Sequence, residues 1–364
     1  MNSRTLLFGL LVLVLNSSCE RLGTLKQPGD KKRTFTNPLF PDTGPDPWAL
    51  LHDGKYYYMH TMKDSLVLWV TADITHVRNA ARKTIWKPTD PSNSKNLWAP
   101  EIHFIHNKWY VYYAADDGNT DNHQMYVLEN GNKDPLSGSF IMKGRISTDK
   151  DNNWAIDGSV FENKGKWYMV WSGWQTRRVN DETQCIYIAS MSNPWTLNSD
   201  RVLISKPELE WERKYINPAG WTPEHKIFVN EGPQPLQSPS GKYVHIAYSA
   251  SGCWTPFYAL GLLTAKTSDD LLNPASWKKS LHPVFSASPE NSVYGTGHNS
   301  FFKSPDGKED YILYHARDTE TDPPGKGDVR TPRMQKFSWD KNDYPVFGEP
   351  FSTKVSLKKP SGTK

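Results

Sequence analysis

The chain has 364 residues, a formal net charge of +4 at pH 7, 13% aromatic residues and 15 tryptophans. Lysine and arginine are scattered rather than clustered, which argues against nucleic acid as a partner. The length would allow more than one domain, yet large all-β folds form single domains at this size. The excess of aromatic residues fits packing between β-sheets, and it also fits surfaces that stack against sugars.

Residues 1–18 have the pattern of a targeting segment. Arg4 supplies a positive charge, and residues 6–15 form an apolar run that is too short to span a membrane. Small and polar residues then precede Cys19, which is typical of a bacterial lipoprotein signal with Cys19 as the lipidated N-terminus. Ordinary secretion with cleavage near Ser18 is the alternative.

Residues 19–34 are mostly polar and contain Pro28 and Gly29, which indicates a flexible tether. The mature protein is therefore predicted to be exported and lipid-anchored, in the periplasm or on the outer surface of a bacterium. Its only membrane contact would be through that lipid. The folded domain is predicted over residues 35–356, as one domain and a monomer, because no internal change of composition marks a linker. Residues 357–364 form a short polar tail that we expect to be frayed.

Two cysteines, Cys185 and Cys253, follow the predicted signal. Two cysteines in an exported protein can form a disulfide, but the sequence does not show whether these two are close. Structural zinc is not expected, because no Cys-x-x-Cys or His/Cys pair occurs at the spacing of zinc ligands.

A β-hairpin pattern recurs five times in the predicted domain. Each copy has a polar or ionisable residue at its start, a short turn that ends in lysine, and a returning strand rich in aromatic and branched residues. The five starting residues are Asp46, Glu101, Asp157, Glu231 and His298. They are 55, 56, 74 and 67 residues apart, a period that suits a four-stranded sheet with an outer loop.

A further strand is predicted after each hairpin, at residues 67–71, 125–128, 185–189, 260–264 and 334–337. No 12-residue window shows a helical period. Repeated four-stranded antiparallel sheets arranged radially form a β-propeller, whose closed ring leaves no hydrophobic face open. The sequence therefore predicts an all-β, five-bladed β-propeller in which the five starting residues converge on the central axis. The alternative is that each acid lies at the start of a strand and has no functional role there.

Three of the starting residues, Asp46, Asp157 and Glu231, are suited to glycoside hydrolysis. That reaction needs one carboxylic acid to protonate the leaving oxygen and one carboxylate to act on the other side of the sugar. A third acid close to the proton donor raises the donor's pKa through like-charge repulsion. Strand ends on a rigid ring can hold such groups at fixed separations.

The residues around the five starting positions resemble glycoside hydrolase family 43, the five-bladed propeller enzymes that act on arabinosides and xylosides. The motifs are GPDPW at 44–48, WAPEI at 98–102, IDG at 156–158, VNEGP at 229–233 and TGHN at 296–299. The resemblance covers nearly all of the predicted domain, and five motifs in order at blade spacing are far more specific than one. The retaining fructoside hydrolases, another five-bladed group, are a weaker match, because their Asn-Asp-Pro-Asn motif is Pro-Asp-Pro-Trp here.

The resemblance implies a role for each acid. Asp46 would be the general base that activates water, and Glu231 the general acid that protonates the leaving group. Asp157 would orient this acid and raise its pKa. The family inverts the anomeric centre, which implies that the base and acid carboxyls lie about 6.5–9.5 Å apart with a water between them.

The same resemblance suggests substrate contacts for Trp98, Glu101, Trp174, His298 and Arg317. The tryptophans would instead serve blade packing, Glu101 would tie neighbouring strands, and Arg317 would form a surface ion pair, if these residues do not touch sugar. His298 corresponds to a central histidine of the family. It is expected either to contact a structural calcium ion or a water at the axis, or to be a hydrogen-bonded structural residue. No cofactor is required for the reaction.

Together these features predict an inverting glycosidase that removes terminal α-L-arabinofuranosyl residues from plant-type polysaccharides or oligosaccharides. The alternatives are a β-D-xylosidase or β-D-galactosidase of the same family, and a surface glycan-binding propeller without activity. Exo action is expected because the long segment 195–229 and the residues near Trp254 could close one end of a groove.

Overall fold

The computed structural model describes residues 33–176, 182–214 and 226–364. About half of these residues form β-strands, mainly antiparallel, that follow one another as five blades, called I to V in chain order. In this described part, helical structure is limited to short 3-10 turns. They are Ile74–Asn79, Pro91–Asn93, Thr120–Asn122, Glu210–Arg213, Pro274–Ser276 and Pro289–Asn291.

The strands are as follows in chain order. A short strand, β1 (Thr34–Phe35), precedes the blades. Blade I contains β2 (Trp48–His52), β3 (Lys55–Met59), β4 (Leu66–Thr71) and β5 (Ala81–Trp86), and blade II contains β6 (Lys95–Ile105), β7 (Lys108–Asp116), β8 (Gln124–Asn130) and β9 (Ile141–Arg145). Blade III contains β10 (Ala155–Asn163), β11 (Lys166–Trp174), β12 (Glu182–Asn193), β13 (Thr196–Leu197) and β14 (Val202–Ser205). Blade IV contains β15 (Ile227–Gln237), β16 (Tyr243–Ala250), β17 (Ala259–Lys266) and β18 (Lys278–Lys279). Blade V contains β19 (Tyr294–Lys303), β20 (Asp310–Arg317), β21 (Thr331–Trp339) and β22 (Pro345–Val346), and β23 (Leu357–Lys358) ends the series.

The first strands of the five blades form a closed ring. Each contacts the first strand of the next blade, and β19 of blade V contacts β2 of blade I. The prediction of an all-β, five-bladed β-propeller is therefore confirmed. Blade III departs from the four-stranded pattern, because the short strands β13 and β14 both pair with the outer edge of β12. The start of β12 also pairs in parallel with the start of β15, so backbone hydrogen bonds join blades III and IV.

Aromatic and branched side chains fill the space between the blades. The buried hydrophobic residues form five main clusters, and each cluster combines residues from two neighbouring blades. Several of the largest side chains in these clusters have almost no exposure, among them Trp69, Trp109, Trp171, Tyr58, Tyr248 and Tyr314. Since apolar burial is the main favourable term in folding, much of the aromatic excess serves the packing of blade on blade.

All five first strands share an unusual backbone conformation near the predicted starting residues. Asp46, Ala99, Asp157, Gly232 and His298 have φ angles between +43° and +57°. In blades II to V, a β-bulge interrupts the register of the first strand beside this residue. Bulges re-aim side chains and are enriched beside active sites. Four of the five residues are not glycine, so the ring stores backbone strain at one level.

The five predicted starting residues do not all occupy the same position relative to the left-handed residue of their strand, so the predicted equivalence is only partly correct. Asp46, Asp157 and His298 are themselves left-handed, whereas Glu231 lies one residue before its left-handed Gly232. Glu101 lies two residues after the left-handed Ala99, a larger displacement along the strand. A bulge interrupts the strands of both Glu101 and Glu231, and the ionisable residue lies at a different distance from the left-handed residue in each.

Residues 357–364, expected to be frayed, are held by specific contacts. The strand β23 pairs with β1, and Nζ of Lys359 lies 2.7 Å from Oδ2 of Asp73 in blade I. The hydroxyl of Ser361 donates to Oδ1 of Asp306 at 2.6 Å, and its backbone N–H donates to Oε2 of Glu309 at 2.9 Å. The tail is therefore ordered, because its cation and hydroxyl find carboxylate partners on both sides of the junction between blades I and V.

The predicted signal at 1–18, the lipidation residue Cys19 and the tether as far as residue 32 lie outside the described residues. Among the helices of the described ranges, none has the length and apolar character needed to cross a membrane.

Candidate active site

A cavity of ≈ 320 Å³ opens beside the left-handed residues of blades I, III, IV and V. Its lining contains the three predicted acids and the predicted central histidine, Asp46, Asp157, Glu231 and His298. All four side chains are largely buried. A concave site that gathers several buried ionisable groups is the usual form of an active site.

Asp46 occupies the positively charged side of this cavity. The hydroxyl of Thr61 donates to its Oδ2 at 2.7 Å, and Nη1 of Arg330 and Nδ1 of His298 each lie 3.3 Å from its Oδ1. Burial alone would raise the pKa of Asp46, but the charges of His298 and Arg330 and the neighbouring His315 hold that pKa well below its usual value. Asp46 is therefore a carboxylate at neutral pH.

Arg330 is itself held by a second carboxylate. Its Nη2 lies 2.6 Å from Oδ2 of Asp328, and its Nε lies 3.0 Å from Oδ1 of the same residue. Such a two-point contact fixes the plane of the guanidinium. Sequence analysis missed Arg330 because it lies in the connection between β20 and β21, outside the repeated hairpin pattern.

Asp157 and Glu231 occupy the other side of the cavity, where neutral donors satisfy them. The hydroxyl of Tyr258 donates to Oε1 of Glu231 at 2.7 Å, and the backbone N–H of Gly232 donates to Oδ2 of Asp157 at 3.0 Å. Burial raises the pKa of Asp157 to about 7, and the charges of Glu231 and Asp46 add to this shift. Burial also raises the pKa of Glu231, again with a contribution from Asp46. This side of the cavity therefore retains a proton near neutral pH.

His298 lies between the two sides. Burial would lower its pKa, but the charges of Asp46, Asp157 and Glu231 raise it above the usual value. A protonated His298 therefore balances part of the negative charge of the three acids. A Cβ on Gly232 would lie 3.2 Å from Cγ of His298, a tight contact, and the φ of +54° at this position also favours glycine.

The calcium ion suggested for the axis was tested against the donors present. In the ranges 33–176, 182–214 and 226–364, no group of three or more His, Cys, Asp or Glu side chains is arranged to hold a metal ion. His298 is engaged with Asp46, and its neighbours are the hydrogen-bonded acids described above. Calcium at the axis therefore stays a prediction, and the reaction proposed below does not require it.

Three tryptophans form an aromatic wall of the cavity. Trp154 and Trp174 stack with ring centroids 5.0 Å apart, and Trp98 stacks on His123 at 3.8 Å. Trp98 packs against the hydrophobic cluster that contains the other two. Trp98 and Trp174 thus line the cavity as predicted and also take part in packing, so the two interpretations of these residues are compatible. Trp154 was missed because it precedes the third hairpin pattern.

Glu101 does not line the cavity. Its Oε1 accepts a hydrogen bond from Nε2 of Gln234 at 2.5 Å, and its Oε2 lies 2.9 Å from Nε2 of His103. Gln234 stands two residues after Gly232, as Glu101 stands two residues after Ala99. The buried Glu101 side chain therefore ties blade II to blade IV, which was the alternative interpretation of this residue.

Arg317 also lies outside the cavity lining. It is 1% exposed, and its Nε lies 2.6 Å from Oδ1 of Asp322. A Cβ placed on Gly295 would lie 2.8 Å from Nη1 of Arg317, so this arginine is packed closely against the start of β19. Within the described ranges, the arginine that lines the cavity is Arg330.

The cavity has a further side built from the loop after β16. Cys253 and Trp254 of this loop line the cavity, together with Ile227 at the start of β15. The sequence predicted that segment 195–229 and residues near Trp254 close the site; residues 215–225 of that segment lie outside the described ranges. Cys185 and Cys253 are both free thiols, so they are not paired. Burial raises the pKa of Cys253 to about 12, which keeps this thiol protonated.

Comparison with known proteins identifies relatives over most of the chain. Residues 35–345 match the family model described as glycosyl hydrolases family 43. The chain is 40% identical over 339 residues to the extracellular exo-alpha-(1->5)-L-arabinofuranosidase of Streptomyces avermitilis, a match that covers 90% of this chain and 66% of that protein. It is 36% identical over 312 residues to alpha-L-arabinofuranosidase 43 of Humicola insolens, covering 84% of this chain and 61% of that protein. The chain thus spans about two thirds of the length of these relatives or less.

Solved structures with the same fold cover nearly the whole ring. The alpha-L-arabinofuranosidase from Lactobacillus brevis aligns with a TM-score of 0.79 and 34% identity, over 88% of this chain and 98% of that chain. A thermostable family-43 glycoside hydrolase aligns with a TM-score of 0.72 and 25% identity, over 90% of this chain and 100% of that chain. These matches extend from the first blade to the last.

Proposed function

The chain belongs to glycosyl hydrolases family 43, and from this premise we propose that it is an inverting, exo-acting α-L-arabinofuranosidase. One observation carries the proposal: a single cavity holds an ionised carboxylate, Asp46, and a second carboxyl with a raised pKa, Glu231. Two carboxyl groups with opposite pKa shifts are what an acid–base pair requires.

In the proposed reaction, the carboxylate of Asp46 accepts a proton from a water molecule as the water oxygen bonds to the anomeric carbon. The bond from that carbon to the leaving oxygen breaks at the same time, and Glu231 transfers its proton to the leaving oxygen. The products are a sugar of inverted configuration and an alcohol. The proton on Asp46 then returns to Glu231 through solvent, and no cofactor takes part.

The surroundings of each acid suit these roles. Asp46 can act as a base because His298 and Arg330 keep it ionised, and Glu231 is suited to act as an acid because burial raises its pKa. Asp157 contributes negative charge close to Glu231, and its contact with the N–H of Gly232 links it to the backbone that follows the acid. These observations support Asp157 as the residue that orients the acid and raises its pKa.

The choice of arabinofuranose and of exo action rests on the relatives. The Streptomyces avermitilis protein is named for exo cleavage of α-1,5-linked arabinofuranose, and the Humicola insolens protein is also named an arabinofuranosidase. The aromatic wall of Trp98, Trp154 and Trp174 suits the apolar faces of sugar rings. A β-D-xylosidase or β-D-galactosidase of the same family, and a glycan-binding propeller without activity, are the outcomes that the first experiment must separate.

The test is hydrolysis of a panel of aryl glycosides by the wild-type protein, with ¹H NMR to follow the configuration of the first product. We expect turnover of the α-L-arabinofuranoside with inversion, and not of the β-D-xyloside or β-D-galactoside. Glu231→Ala should abolish turnover of arabinan oligosaccharides, whereas Glu162→Ala, which removes an exposed carboxylate of β10, should not. Binding of arabinan without turnover, or a retained configuration, would contradict the proposal.

We also propose that the protein is exported, as supported by the name "extracellular" of the Streptomyces avermitilis relative. Lipid attachment at Cys19 rests on the sequence pattern alone. Growth of the producing bacterium with labelled palmitate should label the wild-type protein. The Cys19→Ala variant should be unlabelled, and a labelled variant would contradict the anchor.

A further inference from the structure

The buried hydroxyl of Tyr258 is hydrogen-bonded to the proposed general acid. It lies 2.7 Å from Oε1 of Glu231, and the Tyr258 side chain has no solvent exposure. Burial, reinforced by the charge of Glu231, raises the pKa of Tyr258 well above its usual value. Tyr258 therefore keeps its proton at neutral pH, and it remains a hydrogen-bond donor.

The direction of this hydrogen bond follows from its neighbours. Ser249 lies directly opposite Glu231 in the pairing of β15 with β16, and its Oγ accepts a hydrogen bond from the backbone N–H of His298 at 2.7 Å. The proton of Ser249 is then free for the phenol oxygen of Tyr258, and Ser249 acts on the pKa of Tyr258 as a donor to that oxygen, lowering it. A phenol has a single proton. Since its oxygen already accepts from Ser249, that proton is directed at Glu231.

The ring of Tyr258 is held rigidly. It stacks on His315 with ring centroids 5.5 Å apart and an interplanar angle of 7°. His315 in turn accepts a hydrogen bond at Nδ1 from the backbone N–H of Asp46. A Cβ at residue 297 would lie 2.2 Å from Cε1 of Tyr258, so Gly297 is required for this close approach. The hydroxyl therefore cannot swing away from Glu231 without disrupting the ring packing beneath the site.

We propose that Tyr258 is the positioning residue for the proton of Glu231. By donating to Oε1, it makes that oxygen an acceptor, so the acidic proton resides on Oε2, the oxygen left for the substrate. The opposite arrangement, with the proton on Oε1, would direct it into the protein and away from the leaving group. This inference rests on the proposed role of Glu231 as general acid.

The test is the variant Tyr258→Phe, which keeps the ring stacked on His315 and removes only the hydroxyl. Turnover of arabinan oligosaccharides, whose leaving alcohol must be protonated, should fall by about 10- to 100-fold in kcat, with KM nearly unchanged. A 2,4-dinitrophenyl glycoside, whose leaving group needs no proton, should lose less than about threefold. The basic limb of the kcat/KM profile should move to higher pH, because a donor to the ionised form has been removed.

The matched control is Tyr314→Phe, which removes another buried hydroxyl, bonded to Gln335 at 3.2 Å in blade V. It should leave the dependence on the leaving group and the pH profile unchanged. If Tyr258→Phe lowers turnover of both substrates equally and leaves the pH profile of kcat/KM unchanged, the residue is merely structural and the inference is wrong. If Tyr258→Phe does not fold, Ser249→Ala must give the same leaving-group dependence in weaker form, or the inference fails.

The failure of the proposed function would look different. A wild-type protein that hydrolyses no glycoside in either class refutes the proposed function itself. A wild-type enzyme that needs Glu231 but is indifferent to the Tyr258 hydroxyl refutes only the positioning role.

Discussion

The two sides of the cavity contain the same chemical group at similar burial, and yet their proton affinities are shifted in opposite directions. Asp46 is 8% exposed and Glu231 is 7% exposed. Asp46 faces Arg330 and His298 and has a lowered pKa, whereas Glu231 accepts from a neutral phenol and has a raised pKa. At similar burial, His298, Arg330 and His315 together outweigh the effect of burial on the pKa of Asp46, whereas burial remains the dominant effect on the pKa of Glu231.

A third buried carboxylate extends the comparison. Glu212 has no exposure, and it accepts hydrogen bonds from Lys279, Asn230 and Tyr248 and from the backbone N–H groups of residues 208 and 209. Asn230 directly precedes Glu231 in β15. Glu212 has a complete set of donors and a cation, as expected of a structural carboxylate. Asp157 and Glu231 accept from neutral donors and share the positive charge of His298 with Asp46, yet burial still raises their pKa values, as expected of groups that must change protonation state.

The largest expected effect separates base from acid. In Asp46→Asn, hydrolysis should fall by about 10²–10⁴-fold for every substrate, because water is no longer activated whatever the leaving group. In Glu231→Gln, a similar fall is expected for arabinan oligosaccharides, but a fall of less than about tenfold for a 2,4-dinitrophenyl glycoside. Steady-state rates of both variants on both substrates test this. If the rates of both variants depended equally on the leaving group, the assignment of Asp46 as base and Glu231 as acid would be contradicted.

The second effect concerns stability. Glu212→Ala should lower the free energy of unfolding by about 3–5 kcal/mol, because it leaves the buried Lys279 ammonium without its carboxylate. Denaturant unfolding followed by tryptophan fluorescence measures this. The control is Glu210→Ala, an exposed carboxylate of the same 3-10 turn paired with Lys214, which should leave stability nearly unchanged. A similar small loss in Glu212→Ala would show that this carboxylate is not structural.

The third prediction concerns removal of a positive charge next to Asp46. Arg330→Met removes a cation 3.3 Å from Oδ1, so the pKa of Asp46 should rise towards that of its counterparts across the cavity. The acidic limb of kcat/KM, which reports ionisation of the base, should then move to higher pH, with about a 10- to 100-fold loss at pH 5. Arg145→Met, which removes an exposed arginine of blade II, is the control. An acidic limb at the wild-type position would show that Arg330 does not keep Asp46 ionised.

The smallest expected effect is a gain in stability from loss of an acid. The pKa of Asp157 is about 7 in the folded protein, above the value near 3.9 of an unfolded chain, so its stabilising contribution is present below pH 4 and lost as the pH rises towards 7. Asp157→Asn removes this loss, and its amide oxygen can still accept from Gly232. The variant should be more stable than wild type by about 1–3 kcal/mol at pH 8 and nearly equal at pH 4. If the variant is less stable than wild type at pH 8, ionisation of Asp157 does not destabilise the folded protein and the prediction is wrong.

The fold was largely predictable because the same hairpin pattern occurs in every blade. A turn that ends in lysine, followed by alternating aromatic and branched residues, identified the first two strands of each blade, and the later strands were recognisable as apolar runs. Blade III was less predictable. Its outer edge is divided between the two short strands β13 and β14, each too short to produce a periodic pattern.

The site was predictable only where its residues belong to the repeated pattern. Asp46, Asp157 and His298 occupy equivalent positions, and the family motif around Glu231 identified it. Glu101 was misplaced because a bulge shifts it along its strand. Residues that enter the cavity from connecting segments have no repeated neighbour to mark them. Arg330, Thr61 and Trp154 were missed for that reason, as was Tyr258, which lies behind Glu231 rather than in the cavity lining.

The pairing of β1 with β23 affects how the protein is made. Thr34 pairs with Lys358, so the contact that joins the ends of the ring links residues separated by almost the entire domain. A chain that is synthesised or threaded through a membrane from its N-terminus can form hairpins one after another, but β1 has no partner until the last residues arrive. The first strand of blade I, β2, likewise has no neighbour on one side until β19 of blade V has formed. Contacts between such distant residues slow folding, so completion of the ring, rather than formation of any single blade, should set the time at which the cavity first exists.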